Sequence, residues 1–465
     1  MSGRKYCRSL TLILIIGGIG ASVGCALRPL DDAVWPERGL LGQELEANLP
    51  PGSLTVQSDI SFIEPTGSLS LRDALAAALL RSPDLAAEGY EVRAREAEAL
   101  QAGLLPNPEL GIEMENFGGS GPVDDFDALE STLALSQLVE LGGKRIKRHR
   151  LAVSNAYLAG WEYEIRRIDI FSKTAMDFVR LLAAERQLRI AYETRELAQR
   201  VFDAVGERVD AGKISPVERT KARVEYARAE LEHERAIRTV TASRYRLCSN
   251  WGSIDPQFDS LTGDFDSTES LPELDSLLTR VEQNPELARW TAEAARRQAE
   301  VELALAQRIP DLTLTGGVRH FNEFDETAFI AGLSMPLPIF DRNQGDILAA
   351  RLRVFQGDSL EESTRVKIYS AVVQAFQFLD AALLSVQITR DKILPSAEIA
   401  FEAAEEAFRQ GKIGALSLLD AERTLFEARR QLTDALTSYH LAVIANERLI
   451  GAPLHDADQT QGNTQ

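Results

Sequence analysis

Between Val123 and Ser215 the chain holds no proline, and after Gly143 only Gly160, Gly206 and Gly212 interrupt it before a Gly-Lys-Ile turn. Ile168, Phe171, Ala175, Phe178 and Leu182 keep a 3-4-3-4 spacing; Ile190, Thr194, Leu197, Val201 and Ala204 resume it in a shifted frame. Apolar residues so spaced form a coiled-coil seam, and the frame shift marks a local change of supercoil. Lys144 to Ala211 as one helix reaches about 100 Å at about 1.5 Å per residue, far more than a globular core needs. Val217–Trp251 also lacks Pro and Gly, so the spacing predicts an antiparallel helical hairpin.

The plan occurs twice, about 200 residues apart. RSPDLAAEG (81–89) returns as QNPELARWT (283–291), and LLPNPELGIE (104–113) as RIPDLTLTGG (308–317). LALSQLVELGGKR (133–145) is echoed by AGLSMPLPIFDRNQG (331–345). The clearest pair is RVDAGKISPVERTKARVEYARAEL (208–231) with FRQGKIGALSLLDAERTLFEARRQL (408–432). Four echoes in one order indicate a duplicated unit. Each unit is expected to open with one helix (Leu71–Leu104, Leu274–Arg308), then give two strands, a long helix, a tip and a helix back. In the second unit the long helix is Asp346–Gln410, which Pro395 should kink.

The expected strands are 109–116, 129–138, 311–320 and 327–337. In the first, Leu110, Ile112 and Met114 alternate with Glu109, Glu113 and Glu115. The second places Leu129, Leu133 and Leu135 on one face, and the third Leu312, Leu314 and Val318 against Thr313, Thr315 and Arg319. The fourth carries Phe329, Ala331, Leu333, Met335 and Leu337. Each is near the 9–11 residues a tilted strand needs to cross a bilayer. Alternation alone fits both a soluble sheet with one wet face and a membrane strand with a polar lumen behind it. In lipid, four strands leave two edges that hydrocarbon cannot hydrogen-bond, so a spanning barrel must draw on several chains. Two chains give about 8 strands and a filled interior; three give about 12 and a channel.

Residues 1–24 are set apart. Arg4, Lys5 and Arg8 precede the apolar run Leu10–Gly20, and small residues lead to Cys25, the pattern of an export signal. Cys25 after Ser-Val-Gly resembles a bacterial lipoprotein cleavage box, although Ser22 stands where a Leu is usual. Residues 25–66, with Pro29, Pro36, Pro50, Pro51 and Pro65, are read as an extended linker from a lipid anchor, and 453–465 as a disordered tail. No run of about 18 uninterrupted apolar residues follows Gly24, so no transmembrane helix is expected.

With 70 acidic and 51 basic side chains the formal charge is −19, which disfavours a nucleic-acid partner and suits cations or basic surfaces. Cys25 and Cys248 alone remain after signal removal, so no disulfide framework is implied. Cys248 is expected as a buried thiol at a helix end. The five histidines are scattered without an HExxH pair, and GGK at 142–144 lacks the phosphate-loop spacing. Neither a catalytic site, a cofactor site nor a metal site is expected.

AGLLPNPELGIEMENFGG, LSQLVELGGKR, MPLPIFDRNQG and the two Gly-Lys-Ile turns together resemble the outer-membrane efflux factor family, the TolC-like channel-tunnels. The similarity is greatest to the outer-membrane components of cobalt-zinc-cadmium type heavy-metal exporters, over about Leu69–Gly451. The resemblance implies a mainly α fold with a transmembrane β-barrel contribution: a homotrimer with a 12-stranded barrel in outer-membrane lipid and an α-helical periplasmic tunnel. It implies units 67–252 and 253–452, with tips at 212–215 and 411–414. It also implies partners, a periplasmic adaptor and an inner-membrane pump of the resistance-nodulation-division type. Gly212, Lys213, Ile214, Gly411, Lys412 and Ile413 would meet the adaptor. Family channels narrow their entrance with acidic residues six and nine positions past the second tip glycine. Here Asp420 matches the ninth position and Ser417 departs at the sixth, whereas Glu218 holds the sixth in the first unit. Metal selectivity, on this view, belongs to the pump. The rival reading is a soluble periplasmic coiled-coil lipoprotein acting as a scaffold or adaptor.

Overall fold

The structure, a computed structural model, describes residues 64–454. The export signal, Cys25, the linker up to residue 63 and the tail from residue 455 lie outside the described residues. β1 (Gly67–Ser70) leads into α1 (Leu71–Arg81) and α2 (Pro83–Ala102); β2 (Glu109–Glu115) and β3 (Glu130–Val139) follow, then α3 (Lys144–Asp210) and α4 (Pro216–Ser249). Next come β4 (Phe258–Thr262), α5 (Leu274–Arg280), α6 (Pro285–Gln307), β5 (Leu312–Phe321) and β6 (Glu326–Ser334). α7 (Gln344–Ile388), α8 (Leu394–Arg409) and α9 (Ala415–Ile450) complete the order. The described residues fall into two compact units, one of 94–156 and 296–352, the other of 64–93, 157–295 and 353–454.

The opening helix of each half is broken where one was expected. Ser82 separates α1 from α2, and a short 3-10 turn (Val281–Gln283) with Asn284 separates α5 from α6. Pro83 and Pro285 lack the N–H a continuous helix needs but suit a first helical position. Ser82 Oγ accepts from the Leu85 amide at 3.4 Å, and Asn284 Oδ1 from that of Glu286 at 2.7 Å. The echoed Ser-Pro and Asn-Pro pairs are therefore helix breaks with their own caps. α1 is capped through Ser70 and Asp73, each side chain accepting from the other's amide.

α3 is one helix of 67 residues. Its counterpart in the second half is interrupted by a π-helical turn, Thr389–Ile393, just ahead of Pro395. Proline offers no N–H to the carbonyl four residues back, and the wider turn absorbs that defect. Val372, Leu379 and Val386 are fully buried at seven-residue intervals in the core of their unit, with Leu436, Leu277 and Ile450. The helical run Gln344–Arg409 also holds an 18-residue window of mean hydropathy 1.5, long and apolar enough by composition to cross a membrane, where the sequence had led to none being expected. Its buried heptad marks it as a coiled-coil helix.

In the first unit β2-β3-β5-β6 form one antiparallel sheet in that order. Leu110 pairs with Leu135, Ile112 with Leu133, Leu133 with Val318, and Val318 with Phe329. The alternation in each strand thus lines up across all four, leaving a continuous apolar face. That face is bare: Ile112 is 70% exposed, Phe329 79% and Leu333 69%. β6 ends at Ser334, so Met335 and Leu337 extend beyond the strand into a Pro-containing connection. Phe117 stacks on Phe126 in the 117–128 loop, with ring centroids 5.8 Å apart.

A parallel ribbon of β1 and β4 in the other unit was not expected from the sequence. Its strands are too short for alternation to register, and its residues serve burial: Leu69 and Phe258 pack with Phe178, Leu181, Leu247 and Trp251. Cys248 lies in the same cluster as a free thiol near the end of α4, and burial pushes it up to about 12.

Gly317 sets the strand separation of the sheet. A Cβ there would lie 2.4 Å from the Leu133 carbonyl oxygen and 2.8 Å from Ala134 Cα, whereas at Gly111 the nearest atom is 3.9 Å away. Gly317→Val should destabilise the detergent-refolded protein by about 1–3 kcal/mol and Gly111→Ala hardly at all, read from guanidinium unfolding midpoints.

Candidate channel elements: the sheet face and the hairpin tips

The face of the sheet opposite the apolar one is polar and acidic. Glu113 pairs with Thr132, Thr132 with Arg319, and Glu115 with Glu130. Arg319 is the hub: its guanidinium meets Glu115 at 3.1 Å and Glu130 at 3.0 Å, and donates to Thr132 Oγ1 at 2.8 Å. One cation therefore crosses three strands and cancels part of the carboxylate repulsion. At the end of the sheet, Gly142 and Gly143 turn β3 into α3, and Lys144 reaches Asp311 at 2.8 Å. The GGK motif is a strand-to-helix turn.

Both tips belong to the second unit and are built alike. Gly212 and Gly411 have φ of +68° and +72°. The Lys213 amide donates to Arg208 O and that of Gly212 to Val209 O; Lys412 donates to Ala407 O and Gly411 to Phe408 O. These are the two bonds of a Schellman cap, which satisfy the last free carbonyls of a helix. Lys213 and Lys412 are exposed, while Ile214 and Ile413 turn inward onto one cluster with Val205, Phe408 and Leu418. Arg208 sits 4.1 Å from the centre of the Phe408 ring and donates to its carbonyl at 3.3 Å. The tips are thus held side by side. The exits differ: Ser215 caps α4 with its side chain, and Gly414 offers α9 none.

Ser417 and Asp420 line a groove of ≈ 910 Å³ walled by α3, α4 and α9. Asp420 is exposed and paired with Arg423 at 2.8 Å. Glu218, in the first turn of α4, pairs with Lys221 at 3.2 Å and is not among the residues lining this groove. The structure therefore brings together Ser417 and Asp420, the two candidates of the second sequence repeat, and not Glu218 of the first. Sequence reasoning missed Glu422, which lines the same groove yet is only 4% exposed. The signal was present: Glu422 falls on the apolar stripe of α9, where a charge is out of pattern. Among the described residues no group of three or more His, Cys, Asp or Glu is placed to hold a metal ion.

An open four-stranded sheet with a bare apolar face, in a chain whose other unit is built of long paired helices, defines a TolC-like outer-membrane channel protein. The profile of outer membrane efflux proteins matches residues 74–253 and 279–452, one match in each half, and the chain belongs to that family. The cobalt-zinc-cadmium resistance protein CzcC of Cupriavidus metallidurans is 34% identical over 415 residues, 87% of this chain and 97% of that protein. A crystal structure of CusC superposes with a TM-score of 0.70 at 19% identity, covering 84% of this chain and 96% of the other. That of VceC from Vibrio cholerae gives 0.66 at 20% identity, covering 83% and 97%. The two structures share the fold.

The left-handed tip glycine is open to a direct test. Nothing lies within 4 Å of a Cβ at Gly411 or Gly414, so only backbone conformation separates them. Gly411→Ala should cost about 1–2 kcal/mol locally, seen as roughly 5- to 30-fold faster amide exchange at Lys412. Gly414→Ala, at φ −81°, should leave that exchange unchanged.

Proposed function

We propose that three copies of this chain pool their sheets into one 12-stranded barrel in the outer membrane, with the helical hairpins forming a tunnel in the periplasm. The observation that carries this reading is the sheet: β2 and β6 stand at its edges, and its apolar face is exposed. Leu110, Ile112 and Met114 then meet lipid, and Glu113, Glu115 and Arg319 the lumen. Cargo enters at the tips from an inner-membrane pump of the resistance-nodulation-division type through a periplasmic adaptor, which the exposed Gly212, Lys213, Gly411 and Lys412 contact, while Ile214 and Ile413, expected there too, are turned into the cluster beneath. Similarity over nearly the whole length to a cobalt-zinc-cadmium resistance protein supports heavy-metal cations as that cargo. The protein is a conduit and performs no catalysis. Lipidation at Cys25 would tether each copy to the inner leaflet of the outer membrane. A soluble scaffold is disfavoured by the bare apolar face, which water would have to cover.

Asp420 is the residue proposed to favour cations at the entrance, three carboxylates attracting cations and resisting anions in a narrow pore. Ser417 adds a polar, uncharged ring beside it, and Glu218 stays outside.

Membrane extracts should yield a trimer that runs as such unheated and as a monomer after boiling. In planar bilayers the trimer should pass a small cation-preferring current, and Asp420→Asn should reduce the cation preference measured as reversal potential in a salt gradient. A monomer extracted without detergent would overturn the channel reading; an unchanged reversal potential would remove Asp420 from the gate.

A further inference from the structure

Glu422 occupies a place that the rest of α9 keeps for apolar side chains. Ala415, Leu418, Leu425, Leu432, Leu436 and Tyr439 are buried at intervals of three, four or seven residues, and Glu422, four after Leu418 and three before Leu425, lies on that stripe, 4% exposed. Its Oε2 has no hydrogen-bond partner. An ionised carboxylate so placed loses its hydration and recovers little of it from neighbours.

The surroundings are asymmetric in charge. From α3, Arg200 favours the ionised form; from α4, Glu225 opposes it and is itself held by Arg228 at 2.9 Å. On α9, Asp420 and Arg423 pair with each other at the exposed rim. α8 adds Phe401, Ala404 and Phe408 to the cluster around Leu418, and among its charges Glu405 is paired with Arg409 at 2.8 Å. Burial outweighs the attraction of Arg200 and pushes the carboxyl up to about 7. The groove beside it, between α9 and the α3–α4 hairpin, holds Ser417 and Asp420.

We propose that Glu422 is a proton-operated gating residue of the tunnel entrance: neutral, it lets α9 close against α3 and α4; ionised, it loosens that seam and widens the groove at Ser417 and Asp420. This inference rests on the channel reading and deepens it. The direction follows from the linkage of protonation to packing. The packed state binds the proton more tightly than a hydrated carboxyl does, so packing is strongest in acid. It weakens as pH rises from the ordinary carboxylate range to about 7 and stays weak above that.

The test uses the full-length trimer in detergent and in planar bilayers, comparing the native chain with Glu422→Gln, which keeps the shape, and Glu422→Leu, which completes the apolar stripe. At about pH 8, amides of residues 415–430 should exchange about tenfold or more faster in the native chain than in either variant, and at about pH 5.5 the rates should coincide. Conductance of the native trimer should rise between those two pH values, while both variants stay at the acid level. Equal exchange at both pH values, or a variant that keeps the native pH dependence, would overturn the assignment. A trimer that conducts without the exchange difference sinks the switch alone. A protein that never conducts but shows the exchange difference sinks the channel reading and keeps the switch in the α9 seam.

Discussion

Hydrogen bonding at the two ends of the sheet constrains everything else in this protein. β2 and β6 each have a partner on one side only, and the face running between those edges is apolar and exposed. In water such a sheet would have to hide its face; in hydrocarbon it would have to close its edges, since no lipid group can replace a strand. Both demands are met together only when further copies continue the sheet into a closed wall. Outer-membrane residence and the assembly proposed above then follow from the same unpaired backbone. Arg319, pinned between Glu115 and Glu130, lets the other face stay acidic without forcing neighbouring strands apart.

At the tips the constraint is helix termination. Each half ends a long helix with a left-handed glycine, satisfies the freed carbonyls with the same two amide bonds, and sends an isoleucine back into a shared cluster. The stacking of Arg208 on Phe408 ties the two turns together. Asp420, proposed above to favour cations, lies just beyond these turns on α9. There the apolar stripe that packs α9 borders the groove walled by α3, α4 and α9, and Glu422 belongs to both.

Much of this was legible in the chain. The 3-4-3-4 spacing of Ile168–Leu182 and the alternation of Leu110, Ile112 and Met114 place helix and strand within a residue or two of where they stand, because each signal extends over many residues. The short pieces were not legible. β1 and β4 pair across nearly 200 residues of sequence with four and five residues each, too few for a period to show. Ser82 and Asn284 break helices through local capping that the surrounding apolar pattern hides. The strand pattern was equally silent on its solvent, because lipid and a protein core reward the same alternation.

By itself the sequence determined the long helices, the four long strands and their duplication, since hydrophobic period, proline placement and tip glycines act within a few residues of one another along the chain. Only the tertiary structure decided which side chains share a site. It aligned the apolar rows of four separate strands into one face, set Ser417 and Asp420 on a common groove without Glu218, and buried Glu422 among leucines. The physical reason is that burial and electrostatic neighbourhood depend on contacts between segments tens to hundreds of residues apart, which no local pattern encodes.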